Sequence, residues 1–135
     1  RIGNGKECLS LKKILEDRKN DLPAFIKIDI EGSEYRIFEE ILLYQNNFTG
    51  IGIEPHDVDI HIDKIKNLIK NLDMKLVHIH GQNPAHIAKN DIPTQIELTF
   101  ARNPEIIGFN VKLPHRLDQP ANPSFKETEL FFESK

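Results

Sequence analysis

The segment "FIKIDIEGSEY", residues 25–35, decides the fold expected of this chain. It begins as an apolar strand, but Lys27 and Asp29 interrupt the apolar run on one face of the extended segment. Glu31 and Gly32 follow at once, and the apolar residues further on recur at the spacing of a helix. The segment therefore predicts a strand, a tight turn and a helix, with polar side chains at the carboxyl end of the strand.

Length and composition favour one globular domain. A chain of 135 residues can bury a core without disulfides, and its single cysteine, Cys8, suggests a reducing, cytoplasmic location. The net charge of −3 offers no basic surface for nucleic acid, and no apolar run approaches the roughly 20 residues that a membrane span requires. Because the chain begins with Arg1 and carries no signal peptide, we expect it to be a piece of a longer protein.

Strands and helices alternate along the chain. Residues 24–30, 49–56 and 74–81 are rich in apolar, branched side chains and predict strands, the first of them buried on both faces. Residues 94–101 alternate apolar and polar side chains, as a half-buried strand does. Ser10 is placed to cap an early helix. This alternation predicts an α/β fold with a mostly parallel sheet.

The chain divides into two regions. We expect residues 1–102 to form the α/β domain and the proline-rich residues 103–135 to form an irregular tail that packs on the same domain. The helix after the second strand begins near Asp57 or Asp59, either of which could cap it. The tail is expected to add one short strand at most.

Polar side chains lie at the carboxyl ends of the predicted strands, where mostly parallel sheets bind their ligands. We expect these groups to meet at one rim of the sheet, joined by Gln95 and Glu97 if the last strand is antiparallel. Lys27 would then pair with Asp29 or Glu54, because a lysine buried in a strand is usually paired with a carboxylate. The rim residues are Asp29, Glu31, Glu54, His56, His78 and His80.

Each of these side chains also has a structural explanation. His78 and His80 lie two residues apart and could both be polar residues on an exposed face, while Glu54 could be a solvated strand end. The segment "EPHDVDIH" is rich in metal ligands, but it lacks a recognised zinc spacing such as H-E-x-x-H. Convergence of several strands on one rim, rather than any single residue, indicates a functional site.

The sequence also resembles a known family of enzymes. The segment "FIKIDIEGSEYRIFEEIL" is similar to the K-x-D-x-E-G-x-E segment of the FkbM-type methyltransferases, with matches at Lys27, Asp29, Glu31, Gly32 and Glu34. Four later segments of this chain resemble later segments of that family in the same order: "IEPH", "LVHIHGQN", "PTQIELTF" and "LPHRLDQPANP". These enzymes use S-adenosylmethionine and generally methylate hydroxyls of sugars and natural products. The resemblance implies an S-adenosylmethionine-dependent O-methyltransferase.

The resemblance implies a fold as well, the C-terminal half of a Rossmann-like class I methyltransferase sheet with flanking helices. Residues 94–101 would run antiparallel between residues 50–54 and 75–80, both of which are parallel to residues 24–30. We do not find the glycine-rich strand and turn that hold the cofactor in this family, so we expect the chain alone to bind it weakly. The edge of residues 24–30 would be covered by a missing N-terminal segment, by a second copy in a homo-oligomer or by the tail.

The resemblance assigns roles to the rim. Methyl transfer to a hydroxyl needs a base that takes the proton of the acceptor, and Asp29 with His78 or His80 is implied in that role. A mixture of carboxylates and histidine could in addition hold a divalent metal. The implied cofactor-binding residues are Lys27, Asp29, Glu31 and Gly32, and the implied residues for a small-molecule or glycan acceptor are Glu54, His56, Asn83 and Glu97.

Two other classes of function stay open. The carboxylates and histidines of the rim could belong to a metal-dependent hydrolase or lyase, which metal retained through dialysis would favour. The chain could instead be a non-catalytic binding domain derived from the enzyme fold. A glycine-rich strand and turn upstream of Arg1 would favour the methyltransferase.

Overall fold

Four strands form one mixed sheet in this computed structural model, which describes residues 9–83, 85–88, 92–105 and 112–130. The sheet has the order β1-β2-β4-β3, with β1 parallel to β2 and with β4 antiparallel to both of its neighbours. The predicted α/β fold is confirmed, including the antiparallel strand between the second and third strands. The strands are β1 (Ala24–Ile28), β2 (Phe48–Ile53), β3 (Lys75–Gly81) and β4 (Ile96–Ala101).

The described residues include three α-helices, α1 (Leu11–Glu16), α2 (Phe38–Tyr44) and α3 (Val58–Asn71). Ser10 caps α1 as predicted, since its hydroxyl oxygen accepts the N–H of Lys13 at 3.1 Å. None of the described helices combines the length and the apolar character that crossing a membrane requires. Asp57 occupies the N-cap position of α3, but its side chain makes no capping hydrogen bond, so only the position of this predicted cap is correct.

One face of the sheet carries the core. Ile28, Ile53 and Leu98 lie in register across β1, β2 and β4, and each is almost fully buried. Full burial of an aliphatic side chain of this size contributes about 1.5–3 kcal/mol relative to its exposed state, so this packing fixes the carboxyl ends of β1 and β2 side by side. The helices add Leu11, Ile41, Ile65 and Leu68 to the same buried cluster.

The other face of β1 is open. Phe25 is 60% exposed and Lys27 is also exposed, so the predicted burial of this strand on both faces is wrong. The physical reason is that alternate residues of β1 face away from the core cluster. The ring of Phe25 lies beside Gly50 and Gly52 of β2, whose missing side chains leave room for it.

The outer edge of β1 has no strand partner among the described residues, because β1 is the end strand of the sheet. The described part of the tail lies at the other end of the sheet, where Thr128 forms an isolated bridge with Gly81 of β3. The suggestion that the tail covers β1 is therefore wrong for residues 112–130. Part of the predicted tail strand at residues 129–132 lies outside the described residues.

β1 and β4 lie so close to Gly50 that we expect this position, unlike Gly52, not to tolerate a side chain. A Cβ at Gly50 would lie 2.8 Å from the carbonyl oxygen of Phe100 and 2.9 Å from Phe25, whereas a Cβ at Gly52 would make no contact shorter than 3.4 Å. We expect Gly50→Ala to lower the free energy of unfolding by about 1–3 kcal/mol through overpacking, and Gly52→Ala to leave it nearly unchanged. Urea denaturation of both variants measures the difference. Equal stabilities would contradict the packing described here.

Candidate active site at the carboxyl ends of the strands

The turn after β1 is held by a buried carboxylate. Glu31 and Gly32 adopt positive φ angles of 56° and 89°, a conformation that suits glycine and strains other residues. One carboxylate oxygen of Glu34 accepts the N–H of Ile30 at 2.9 Å and that of Gly32 at 3.2 Å. The side chain of Glu34 is fully buried. This carboxylate therefore fixes the path of the backbone, and β1 ends at Ile28 rather than at Ile30 as predicted.

His56, which follows β2, packs against this turn. Its Nδ1 atom lies 3.3 Å from an oxygen of Glu34, and its Nε2 atom lies 3.6 Å from an oxygen of Glu31. The Tyr35 hydroxyl donates a hydrogen bond to the carbonyl oxygen of His56. Burial, followed by the neighbouring carboxylate of Glu34, raises the pKa of Tyr35, so the phenol stays protonated and keeps donating. The ends of β1 and β2 are thereby joined through side chains.

Gln95 extends this arrangement to the start of β4. Its amide nitrogen lies 2.8 Å from a carboxylate oxygen of Glu54 and 2.9 Å from Nε2 of His56. The backbones of His56 and Gln95 form an isolated antiparallel bridge, and the N–H of Glu54 donates to the carbonyl oxygen of Ile28 at 2.9 Å. Three strand ends therefore meet at one rim.

A row of ionisable side chains crosses the sheet on the face opposite the core. Nζ of Lys27 lies 2.9 Å from Glu97 and 3.4 Å from Glu54. The imidazole of His80 lies 3.6 Å from the other oxygen of Glu97, and on its far side it lies 3.1 Å from Glu127 of the tail. We call these five side chains, Lys27, Glu54, Glu97, His80 and Glu127, the polar row.

The charge of Lys27 is stabilised by its two partners. Burial lowers the pKa of Lys27, but the hydrogen bonds and charges of Glu97 and Glu54 outweigh burial and raise it above 10.5. A raised pKa means that the pairing stabilises the fold at pH values below 10.5, and that this contribution is lost as the pH rises through the raised pKa. The side chain of Lys27 is 51% exposed, so solvent screens the contribution.

Two polar side chains near the end of β3 face the tail. Nε2 of His78 lies 2.9 Å from a carboxylate oxygen of Asp118, whose second oxygen accepts the N–H of His115 at 2.6 Å. The buried amide of Asn83 donates to the carbonyl oxygen of Asn122 at 2.7 Å and accepts its N–H at 3.0 Å. These contacts fasten the described part of the tail to the sheet.

The family of the chain follows from comparison with known sequences. The sequence model described as the methyltransferase FkbM domain matches residues 4–87. The chain belongs to this family. The resemblance inferred from the motif is confirmed, and the α/β sheet is consistent with part of a Rossmann-like methyltransferase fold. Neither a curated protein nor a solved structure matches the chain significantly.

In this FkbM domain, four predicted site residues meet at the turn after β1. They are joined there by Glu34, which matched the family motif but was given no role in the site. Donor atoms of Asp29, Glu34 and His56 all lie within 4.8 Å of one another. The four predicted residues are Asp29, Glu31, Gly32 and His56.

A second group of predicted residues lies in the polar row of the FkbM domain. Of the two acids predicted to pair with Lys27, Glu54 is the one that does so, and Glu97 is a further partner. The remaining two predicted residues contact the tail and do not face the turn. The residues in the polar row are Lys27, Glu54, Glu97 and His80, and those facing the tail are His78 and Asn83.

Sequence reasoning missed three carboxylates that shape this site. Glu34 begins the 3-10 turn Glu34–Arg36, and its place in the family motif was the one signal that could have identified it. Asp118 and Glu127 pair with the two histidines of β3 from 40 and 47 residues away in sequence, and no local pattern marks them.

The polar row predicts that Lys27 has a greater effect on stability than its exposure suggests. In Lys27→Met, the buried Glu54 and its neighbour Glu97 would face each other without a cation. We expect the free energy of unfolding to fall by about 1 kcal/mol near neutral pH. Thermal denaturation should show no such loss for Lys66→Met, on the exposed surface of α3. Equal losses of stability in Lys27→Met and Lys66→Met would show that the polar row contributes nothing. The loss in Lys27→Met should shrink when the pH is above the raised pKa of Lys27.

Proposed function

We propose that this chain forms the acceptor side of an S-adenosylmethionine-dependent O-methyltransferase that acts on a hydroxyl of a sugar or natural product. The observation that carries the proposal is the family match over the turn after β1, where Asp29 and Glu31 lie exposed at the rim. A methyltransferase domain in general follows from the family. The cofactor, the oxygen acceptor and the residue roles are our inference.

The residues at the turn suit the proposed cofactor. Gly32 has a positive φ, and among the described residues a Cβ built on it would meet just one atom within 4 Å, an oxygen of Asp57 at 3.9 Å, so the backbone there is accessible. Exposed carboxylates at Asp29 and Glu31 can accept hydrogen bonds from ammonium and ribose hydroxyl groups. Together with Lys27, these residues would bind the cofactor. When bound, S-adenosylmethionine supplies a methyl group activated by a positively charged sulfur.

Asp29 is the best placed group to take the proton of the acceptor. It lies exposed beside the turn and next to His56, within reach of a molecule bound at the rim. Among the described residues, His78 and His80 pair with Asp118 and Glu127 of the tail and form no ion pair with the turn. The proposal therefore favours Asp29 over either histidine as the base.

The polar row and His56 offer the groups that would hold the acceptor. Glu54, Glu97 and His56 present acceptor and donor atoms at the same rim, which suits the hydroxyls of a small molecule or glycan. Asn83 would contribute indirectly, since its amide fastens the tail beside His80. Productive transfer depends on holding the acceptor oxygen in line with the methyl carbon.

Two wider inferences accompany this function. The lone Cys8 suits a reducing, cytoplasmic compartment. The outer edge of β1, which has no strand partner in the described part of the chain, suits pairing with a further segment or with a second copy of the chain, since unpaired strand edges attract other strands.

The role of Asp29 predicts a separation of binding from turnover. We expect residues 1–135 alone to turn over no acceptor. In a polypeptide extended at its amino end, Asp29→Asn should lower kcat for methyl transfer to a sugar hydroxyl by at least about 100-fold, because general-base catalysis contributes 10²–10⁴-fold. Its affinity for S-adenosylmethionine should fall far less. Asp63→Asn, an exposed change on α3, is the matched control and should retain full activity. Unchanged turnover in Asp29→Asn would remove Asp29 as the base.

Cofactor binding provides a separate test. Residues 1–135 contain no recognisable glycine-rich strand and turn, and loss of two hydrogen bonds to buried polar groups costs about 2–6 kcal/mol, equivalent to 30-fold to more than 10⁴-fold in affinity. Calorimetry should detect weak binding to residues 1–135 and stronger binding to a polypeptide extended at its amino end. Micromolar binding by residues 1–135 alone would contradict this expectation.

A further inference from the structure

Three potential metal ligands from separate parts of the chain meet at the turn after β1. Asp29 follows β1, Glu34 begins the 3-10 turn and His56 follows β2. One donor atom from each lies within 4.8 Å of the other two. Parallel pairing of β1 and β2 brings the three together, since the N–H of Glu54 is bonded to the carbonyl oxygen of Ile28 just before them.

Glu34 supplies a carboxylate that is only half satisfied. One oxygen accepts the N–H groups of Ile30 and Gly32. The other oxygen is buried and has no hydrogen-bond partner among the described residues. Because a buried charge without a partner is strongly unfavourable, this oxygen calls for a cation or a proton donor.

His56 has an unsatisfied atom close to the same carboxylate. Its Nδ1 is buried without a hydrogen-bond partner in the described part of the chain, and it lies 3.3 Å from Oε1 of Glu34, the oxygen that accepts the two N–H groups. Two ligand atoms bound at about 2.0–2.2 Å to one tetrahedral zinc ion lie about 3.3–3.6 Å apart. The observed separation of the imidazole and the carboxylate therefore suits two ligands of one ion.

We propose that Asp29, Glu34 and His56 bind one divalent transition-metal ion, with Zn²⁺ preferred over Mg²⁺ and Ca²⁺. An imidazole ligand favours zinc over the two harder cations, which prefer oxygen ligands alone. Three protein ligands leave a fourth position for water or for a hydroxyl. The exposed Asp29 closes the site from the solvent side. The site shares Asp29 and His56 with the proposed methyl transfer, but binding of the ion is measured without cofactor or acceptor.

A metal ion in this site would determine which ring nitrogen of His56 carries the proton. With Nδ1 bound to the metal, Nε2 carries the proton and donates it to a neighbouring acceptor, as is usual for a histidine ligand. Glu31, with a carboxylate oxygen 3.6 Å from Nε2, is an acceptor near that proton. Without metal, the Gln95 amide nitrogen donates to Nε2 and leaves the proton on Nδ1, facing Glu34. The two states are therefore distinct tautomers.

Metal content and calorimetry on the chain test the site directly. After dialysis against buffer that lacks chelator, the protein loaded with Zn²⁺ should retain one equivalent. Asp29→Asn, Glu34→Gln and His56→Gln should each lower the affinity for Zn²⁺ by more than about 100-fold, because even the partner of a ligand is worth 10–100-fold. His86→Gln and Asp63→Asn, both exposed, are matched controls that should bind as the parent does.

Two features keep this test decisive. Glu34→Gln retains an oxygen for the N–H groups of Ile30 and Gly32, and circular dichroism checks that each variant folds. Asp29 is exposed, so Asp29→Asn should fold and can decide the question alone. Failure of the parent to retain Zn²⁺, equal loss in the controls, or a proton on Nδ1 of His56 by ¹⁵N NMR in the presence of Zn²⁺ would overturn the site.

Discussion

The rest of the site depends on the hydrogen bonds that the buried carboxylate of Glu34 accepts. Its hydrogen bonds to the N–H groups of Ile30 and Gly32 determine where β1 stops and how the chain turns. The same carboxylate lies beside His56, so it connects the end of β1 with the end of β2. A charge in this position needs compensating contacts, and those contacts organise the rim.

Much of the fold could be predicted because its signals are local. Branched apolar runs predicted the strands, helical spacing predicted α3, and Ser10 predicted the start of α1. The position of β4 between β2 and β3 came from family resemblance, since strand order is a long-range property. The exposure of Phe25 could not be predicted, because an apolar sequence does not reveal whether a second layer covers the strand.

The site could be predicted only in part, because some of its contacts join residues that are far apart in the sequence. Polar residues directly after strands converge whenever the strands are neighbours. Of the two partners predicted for Lys27, Asp29 and Glu54, the structure shows Glu54. The pairing of His78 with Asp118 and of His80 with Glu127 depends on how an irregular tail crosses the sheet, which no periodicity encodes. Because these pairs hold the histidines of β3 against the tail, we expect the chemistry at the turn after β1 rather than at those histidines.

We propose that the turn after β1 faces the cofactor of a methyltransferase. The most direct measurement is a ¹H–¹⁵N NMR titration of residues 1–135 with S-adenosylhomocysteine at millimolar concentration, which detects weak binding. We expect the amides of Ile30, Gly32 and His56 to shift most. Shifts confined to residues 112–130, or no shifts at the turn, would contradict it.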